Sequence, residues 1–233
     1  LTYLATALRN NIPGFVRAAF HDPGTYNKAA GTGGANGSLL SPLESGNGDH
    51  RGLVPTINAL IRFRNDINAQ LPNGLQISAA DVIQLAGGLA VEIAGGPSIT
   101  ASIPVGRVDS TGPDATNQLP AENDPYNVIA CKFVNNGYSV AEMYALTSAH
   151  TLGVVNRNGN RVNLDSTPTL WDLAYWQQTQ AGQSVLRSGR VMGTANPAIV
   201  SNYAGNQAAV NGDFAAAFVK MGKQGASWRS YGP

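Results

Sequence analysis

Cysteine is nearly missing from this chain. Its 233 residues hold one, Cys131, so no intramolecular disulfide can form. Standing alone, Cys131 reads as a small buried hydrophobe. Charge is scarce too: 15 basic and 14 acidic residues leave a net +1. The basic residues are scattered, which excludes a nucleic-acid or anionic-membrane surface built on a basic patch. No apolar run approaches the roughly 20 residues that cross a bilayer. Internal repeats are absent, and strand-like alternation is rare. No secretory leader is visible, although Leu1 is not a methionine.

What the chain does have is glycine, 27 residues of it, with 13 prolines. That composition implies many ordered loops around one sizeable core, which this length can split into two lobes. Helical patterns run over Leu4 to Asn10 and Gly14 to His21, then over Leu53 to Leu71. Ser78 and Asp81 form a capping-box-like start to the apolar run 82–94, which Gly95-Gly96-Pro97 ends. Ser139 and Glu142 make a full capping box ahead of EMYALTSAH, with Gly153 as the stop. A last helix is predicted over Gly212 to Met221. Residues 24–49 form a polar, Gly-rich loop, of the length that tends to be functional or held by an ion. Residues 98–130 read mostly as loop. The fold class is mostly α.

One stretch carries chemistry. In VRAAFHDPG, Arg17, Phe20 and His21 stand at i, i+3 and i+4, one face of a helix that Asp22-Pro23-Gly24 closes. A solvated helix edge is the plain alternative. Met143, Leu146, Thr147 and His150 share a second face, which sets His150 pointing inward at the end of its helix. Two inward histidines on separate helices, one beside an arginine, suit a flat cofactor held between them: one imidazole on a metal, the other on the opposite face.

In order and approximate spacing, VRAAFHD, GGANGS, SAADVIQLAGGLAVEIAGGP, VGRVD, EMYALTSAHTLG and DSTPTLWDLAYW resemble the plant, fungal and bacterial haem peroxidase superfamily, over about residues 9–222. The pattern looks nearest to the fungal secreted or hybrid types without their disulfides. The resemblance implies one haem peroxidase domain over 1–233, with a distal lobe to about 135, a proximal lobe to about 222 and haem b between them. It makes His150 the haem iron ligand, His21 the base and Arg17 the charge stabiliser on the other side, and Phe20 the aromatic packed over the haem. It implies reduction of hydrogen peroxide and one-electron oxidation of small phenolic or aromatic donors near Leu119-Pro120-Ala121. It implies calcium on Thr151, Asp165, Thr167, Leu170 and Asp172, and a weaker second calcium on Asp22, Gly34, Asn36 and Ser38, where Asn36 stands for the usual Asp. Calcium there would leave the glycosylation pattern Asn36-Gly37-Ser38 unused. Asp81 and Arg107 match a buried structural ion pair. A monomer is expected. Abundant Asn, Ser and Thr with little charge favour secretion; the single cysteine favours an intracellular protein. Secretion is the expectation.

Three departures from the family stand out. The Asp that usually accepts from the iron-bound imidazole is replaced by Gly189, which should weaken that imidazole as a donor and raise the iron potential. Glu44 matches the residue that helps orient the distal histidine, but His50 falls where an Asn belongs. Either His50 does that work or the loop shifts register and Asn47 does it. The donor sites of specialised relatives are missing: Asn10, Gly14 and Asn156 replace the manganese-binding acids, and Ala145 and Leu164 replace redox tryptophans. Trp171 and Trp176 read as core aromatics, with Trp228 left over. The departures leave a rival reading, a haem-binding homologue with weak or no peroxidase turnover that serves as a binder or sensor.

Overall fold

The structure is a computed structural model that describes residues 2–229, with side chains from residue 5 onward. Its helices are α1 (Thr2–Asn10), α2 (Ile12–His21), α3 (Pro42–Ser45), α4 (Val54–Asn68), α5 (Ala79–Ile93), α6 (Tyr126–Asn135) and α7 (Val140–Thr147). The antiparallel hairpin β1 (Val154–Arg157) and β2 (Asn160–Asn163) follows. Then come α8 (Ala174–Gln180), α9 (Arg187–Ala195), α10 (Pro197–Gly205) and α11 (Gln207–Met221). This mostly helical fold agrees with the class read from the sequence. No described helix is long and apolar enough to cross a membrane.

Small side chains decide how the first site-bearing helix is seated. α2 packs along α5, and a Cβ at Gly87 would collide with Ala19 and lie 3.3 Å from the Phe15 carbonyl. Only glycine allows that approach. Gln84 donates from Nε2 to the Ala19 carbonyl at 2.9 Å and ties the two helices. Phe15 stacks on Phe63 of α4, ring centres 5.6 Å apart. Behind α5 lies the predicted buried ion pair. Arg107 Nη1 donates to Asp81 Oδ1 at 2.7 Å, and Gly106 N–H donates to Asp81 Oδ2 at 2.6 Å. Arg107 Nε reaches the Gly222 carbonyl at 2.7 Å, so this charge also holds the end of α11.

The capping residues act as expected. Ser78 Oγ accepts from Asp81 N–H, and the Ser139–Glu142 box is complete. Other expectations need correction. The α7 helix stops at Thr147, and His150 sits in the 3₁₀ turn Ser148–Thr151 that follows, not on the helix itself. The third long helix runs from Val54 to Asn68 only, and the last starts at Gln207, where Asn206 caps it through Ala209 N–H. The loop assigned to 98–130 ends in α6, and the short helices α8, α9 and α10 were not among the patterns read from the sequence. The hairpin turns at Asn158-Gly159, both with positive φ (52° and 86°), the backbone that an Asn-Gly pair adopts readily. Cys131 is exposed, not buried. Position 131 falls on the outer side of α6, whose buried residues are Ile129 and Phe133.

Candidate active site

Helix α2 presents Arg17 and His21, and helix α3 and the 3₁₀ turn Gly48–His50 bring Glu44 and His50 to them. The four side chains form one hydrogen-bonded chain. Arg17 Nε donates to His21 Nε2 at 3.0 Å. A guanidinium only donates, so Nε2 is the acceptor and the His21 proton lies on Nδ1. His21 Nδ1 is 3.0 Å from His50 Nδ1. That nitrogen must therefore accept, which leaves the His50 proton on Nε2, facing Glu44 Oε1 at 3.4 Å. Glu44 Oε2 accepts from Asp114 N–H at 2.7 Å. Every donor in the chain points the same way, from Arg17 to Glu44.

Of the two sequence readings for the partner of His21, the contact is made by His50. Asn47 instead caps its own turn by accepting from Asp49 N–H at 3.2 Å. His21, Glu44 and His50 are all buried, and Arg17 anchors its outer end on the carbonyls of Arg51 (2.8 Å) and Asp49 (3.3 Å). Burial, then the charge of Arg17, then His50, push the His21 pKa well below its ordinary value. It is a neutral imidazole at pH 7. Burial works to raise the Glu44 pKa, but its hydrogen bonds with His50 and Asp114 N–H outweigh it and leave the carboxyl below its usual range. Phe20 packs edge-on to His21 and stacks on Phe133, 5.8 Å between ring centres.

His150 approaches from the other segment. Its Nδ1 lies 3.4 Å from the Tyr175 hydroxyl of α8. Among the described residues its Nε2 meets no hydrogen-bond partner. Burial lowers its pKa to about 4, so it too is neutral at pH 7. A neutral imidazole with one nitrogen engaged and the other lone pair free is the state in which histidine binds a metal. The residue therefore fits an axial haem ligand. The donor-edge residues run from Leu119, buried, through Pro120 to exposed Ala121, with Lys132 Nζ donating to the Leu119 carbonyl at 2.7 Å.

The two predicted cation sets differ. In the proximal one, Thr151 Oγ1 stands 2.7 Å from Asp165 Oδ2, 3.2 Å from Asp172 Oδ1 and 3.4 Å from the Leu170 carbonyl. One hydroxyl proton serves three acceptors, and the nearby Thr167 Oγ1 is buried without a partner. Burial, then the charge of Asp172, raises the Asp165 pKa. Surplus oxygen acceptors without enough donors fit a hard cation. In the distal set, Asn36 Nδ2 donates to both oxygens of Asp114 at 3.0 and 3.2 Å, while Asn36 Oδ1 accepts from Ser38 N–H at 3.0 Å. The two ends of the amide are thus assigned by their partners. Thr25 Oγ1 donates to Asp114 at 2.6 Å and accepts from Gly34 N–H at 3.1 Å. Asp22 accepts from the N–H groups of Gly37 and Leu39. An amide donor stands where a cation needs an acceptor, so this set fits calcium poorly. It equally removes Asn36 as a free glycosylation site.

The expected core aromatics are buried. Trp176 donates to Ser148 Oγ at 2.9 Å and Trp171 to Asn211 Oδ1 at 2.8 Å; Trp228 lies exposed, its ring over Arg107. Asp114 and Tyr175 are the site residues that sequence reasoning missed. Their partners lie 78 and 25 residues away, and no local spacing marks them.

The family described as Peroxidase matches residues 3–206. Among curated proteins, a putative L-ascorbate peroxidase 6 of Arabidopsis thaliana is 31% identical over 92% of this chain and 64% of its own length. The cytosolic L-ascorbate peroxidase 2 of Oryza sativa subsp. japonica is 31% identical over 94% of the chain and 87% of its length. The peroxisomal L-ascorbate peroxidase 5 of Arabidopsis thaliana is 32% identical over 76% of the chain and 60% of its length. The chain thus spans just under two thirds of two of these relatives. Relatives named cytosolic and peroxisomal overturn the expectation of a secreted protein. Asn, Ser and Thr content was a weak guide, since such residues also fill ordered loops in any compartment.

Proposed function

Since the chain belongs to the peroxidase family, we propose that it is a haem peroxidase that reduces hydrogen peroxide to water and oxidises small phenolic or aromatic donors one electron at a time. The observation that carries this reading is the hydrogen-bonded chain Arg17–His21–His50–Glu44, exposed at Arg17 and buried from His21 inward, with its neutral base at His21. Haem b would be held through His150 Nε2 and, when bound, would supply the iron for peroxide reduction. The rest is work for side chains. Arg17 Nε–H leaves His21 Nε2, pivoting on its anchors at Asp49 and Arg51. His21 Nε2 takes the proton from the nearer peroxide oxygen and delivers it to the farther one, which departs as water. Arg17 offsets the negative charge that grows there. His50 keeps His21 in the tautomer that leaves Nε2 free to accept, and Glu44 keeps His50 in the matching one.

Calcium is proposed for the set Thr151, Asp165, Thr167, Leu170 and Asp172 only, the feature that most supports a likeness to the fungal branch. Small aromatic donors are favoured by the missing manganese and tryptophan sites; the relatives' names point to ascorbate as the competing donor. A monomer with two lobes flanking the haem completes the reading.

Stopped-flow absorbance of the haem-loaded protein mixed with hydrogen peroxide tests it. A fast loss of Soret intensity that a phenol restores is the expected result; faster recovery with ascorbate would reassign the donor. A spectrum that ignores peroxide would replace the enzyme by a haem-binding homologue, a reading that Gly189 alone favours.

A further inference from the structure

The iron-bound imidazole of a peroxidase needs a partner on its second nitrogen, and this chain has glycine where the carboxylate is expected. The structure puts something else there. Tyr175 Oη lies 3.4 Å from His150 Nδ1, and the two rings meet edge to face, 5.4 Å apart at 80°. Tyr175 is 1% exposed, so water does not compete for this contact. A Cβ built on Gly189 would fall onto the Ser184 hydroxyl and lie 2.9 Å from Tyr175 Oη. The space of the absent side chain is therefore occupied, not empty. Ser184 Oγ and Thr179 Oγ1, both buried, neighbour the phenol and have no other partner.

We propose that Tyr175 is the positioning residue for the His150 imidazole, with Ser184 behind it in the volume left by Gly189. The inference rests on the assignment of His150 as the haem ligand. Once Nε2 is committed to a metal, the remaining imidazole proton must sit on Nδ1, and Tyr175 Oη is its acceptor. The phenol then turns its own hydrogen to Ser184 or Thr179. A neutral oxygen accepts roughly half as strongly as a carboxylate would. The imidazole keeps its orientation but donates less electron density, so the iron holds a higher reduction potential than a carboxylate partner would set.

The test uses the haem-loaded protein and two readouts besides turnover: the iron–imidazole stretching band of the reduced protein, by resonance Raman, and the midpoint potential. Tyr175→Phe keeps the ring and removes the oxygen. The band should move to lower frequency and the potential should rise. Gly189→Asp combined with Ser184→Gly and Tyr175→Phe, which together remove the three atoms a side chain at 189 would meet, should move both the other way. Values unchanged in Tyr175→Phe, with haem still on His150, overturn the proposal. Where Tyr175→Phe fails to retain haem, Ser184→Ala combined with Thr179→Val, which removes both acceptors of the phenol hydrogen, decides: a smaller shift of the same sign supports it, and unchanged values overturn it. A haem spectrum insensitive to His150→Ala sinks the ligand assignment itself and this inference with it, an outcome distinct from a silent Tyr175→Phe.

Discussion

At the scale of single residues, the site depends on where protons sit. His21 accepts from Arg17 on one nitrogen and donates from the other. Replacing His21 by Ala removes the proposed base and leaves His150 untouched. Haem should bind as before while the rate of reaction with peroxide falls by about 10²–10⁴, measured by stopped flow. His50→Asn keeps an acceptor for His21 Nδ1–H but cuts the link to Glu44. The peroxide rate should change less than tenfold, because orientation survives; a loss as large as that of His21→Ala would show that the second imidazole does more than orient. A His150→Ala chain should fail to hold haem, read from its absorbance after gel filtration.

Between elements, two oxygen-rich junctions hold the architecture. Asp81 joins the start of α5 to Arg107, and Arg107 joins that strand of loop to the end of α11. Both partners are buried, so Asp81→Ala strands a guanidinium with no counter-charge. Denaturant unfolding should report a loss of about 3–5 kcal/mol. The second junction ties the 3₁₀ turn carrying His150 to the loop before α8 through Thr151, Asp165 and Asp172. A chelator should lower the melting temperature and added calcium should restore it. An Asp165→Ala chain should show neither response, since one of the two charged ligands of the proposed calcium site is gone.

On the scale of the whole molecule, stability should fall with acid in a way one side chain exposes. The His150 pKa in the fold is about 4, against an ordinary value of about 6.5 in the unfolded chain. Below 6.5 the unfolded state takes up a proton that the folded state refuses, so the contribution of His150, complete above 6.5, is lost as pH falls towards 4. Between pH 6.5 and 4.5 the haem-free protein should lose about 2 kcal/mol more than its His150→Gln variant, by denaturant titration at both pH values. Comparison with the variant cancels the other buried groups. Among them Asp22 and Asp165, whose pKa values burial raises, act in the opposite sense.

The linear order of residues was enough for the mostly helical class, the caps at Ser78 and Ser139, the Asp81–Arg107 pair and the placing of Arg17 and His21 on one face of α2. Those are matters of local spacing and of residue types with few alternative uses. It was not enough for α8 to α10, whose seven to nine residues are too few for a helical pattern to stand out, nor for the 3₁₀ turn that carries His150. The choice of His50 over Asn47, the amide of Asn36 turned onto Asp114, and the phenol of Tyr175 in the space beside Gly189 were decided by tertiary structure. Each joins groups far apart in the chain, and a buried donor or acceptor takes whichever partner the packing brings within about 3 Å.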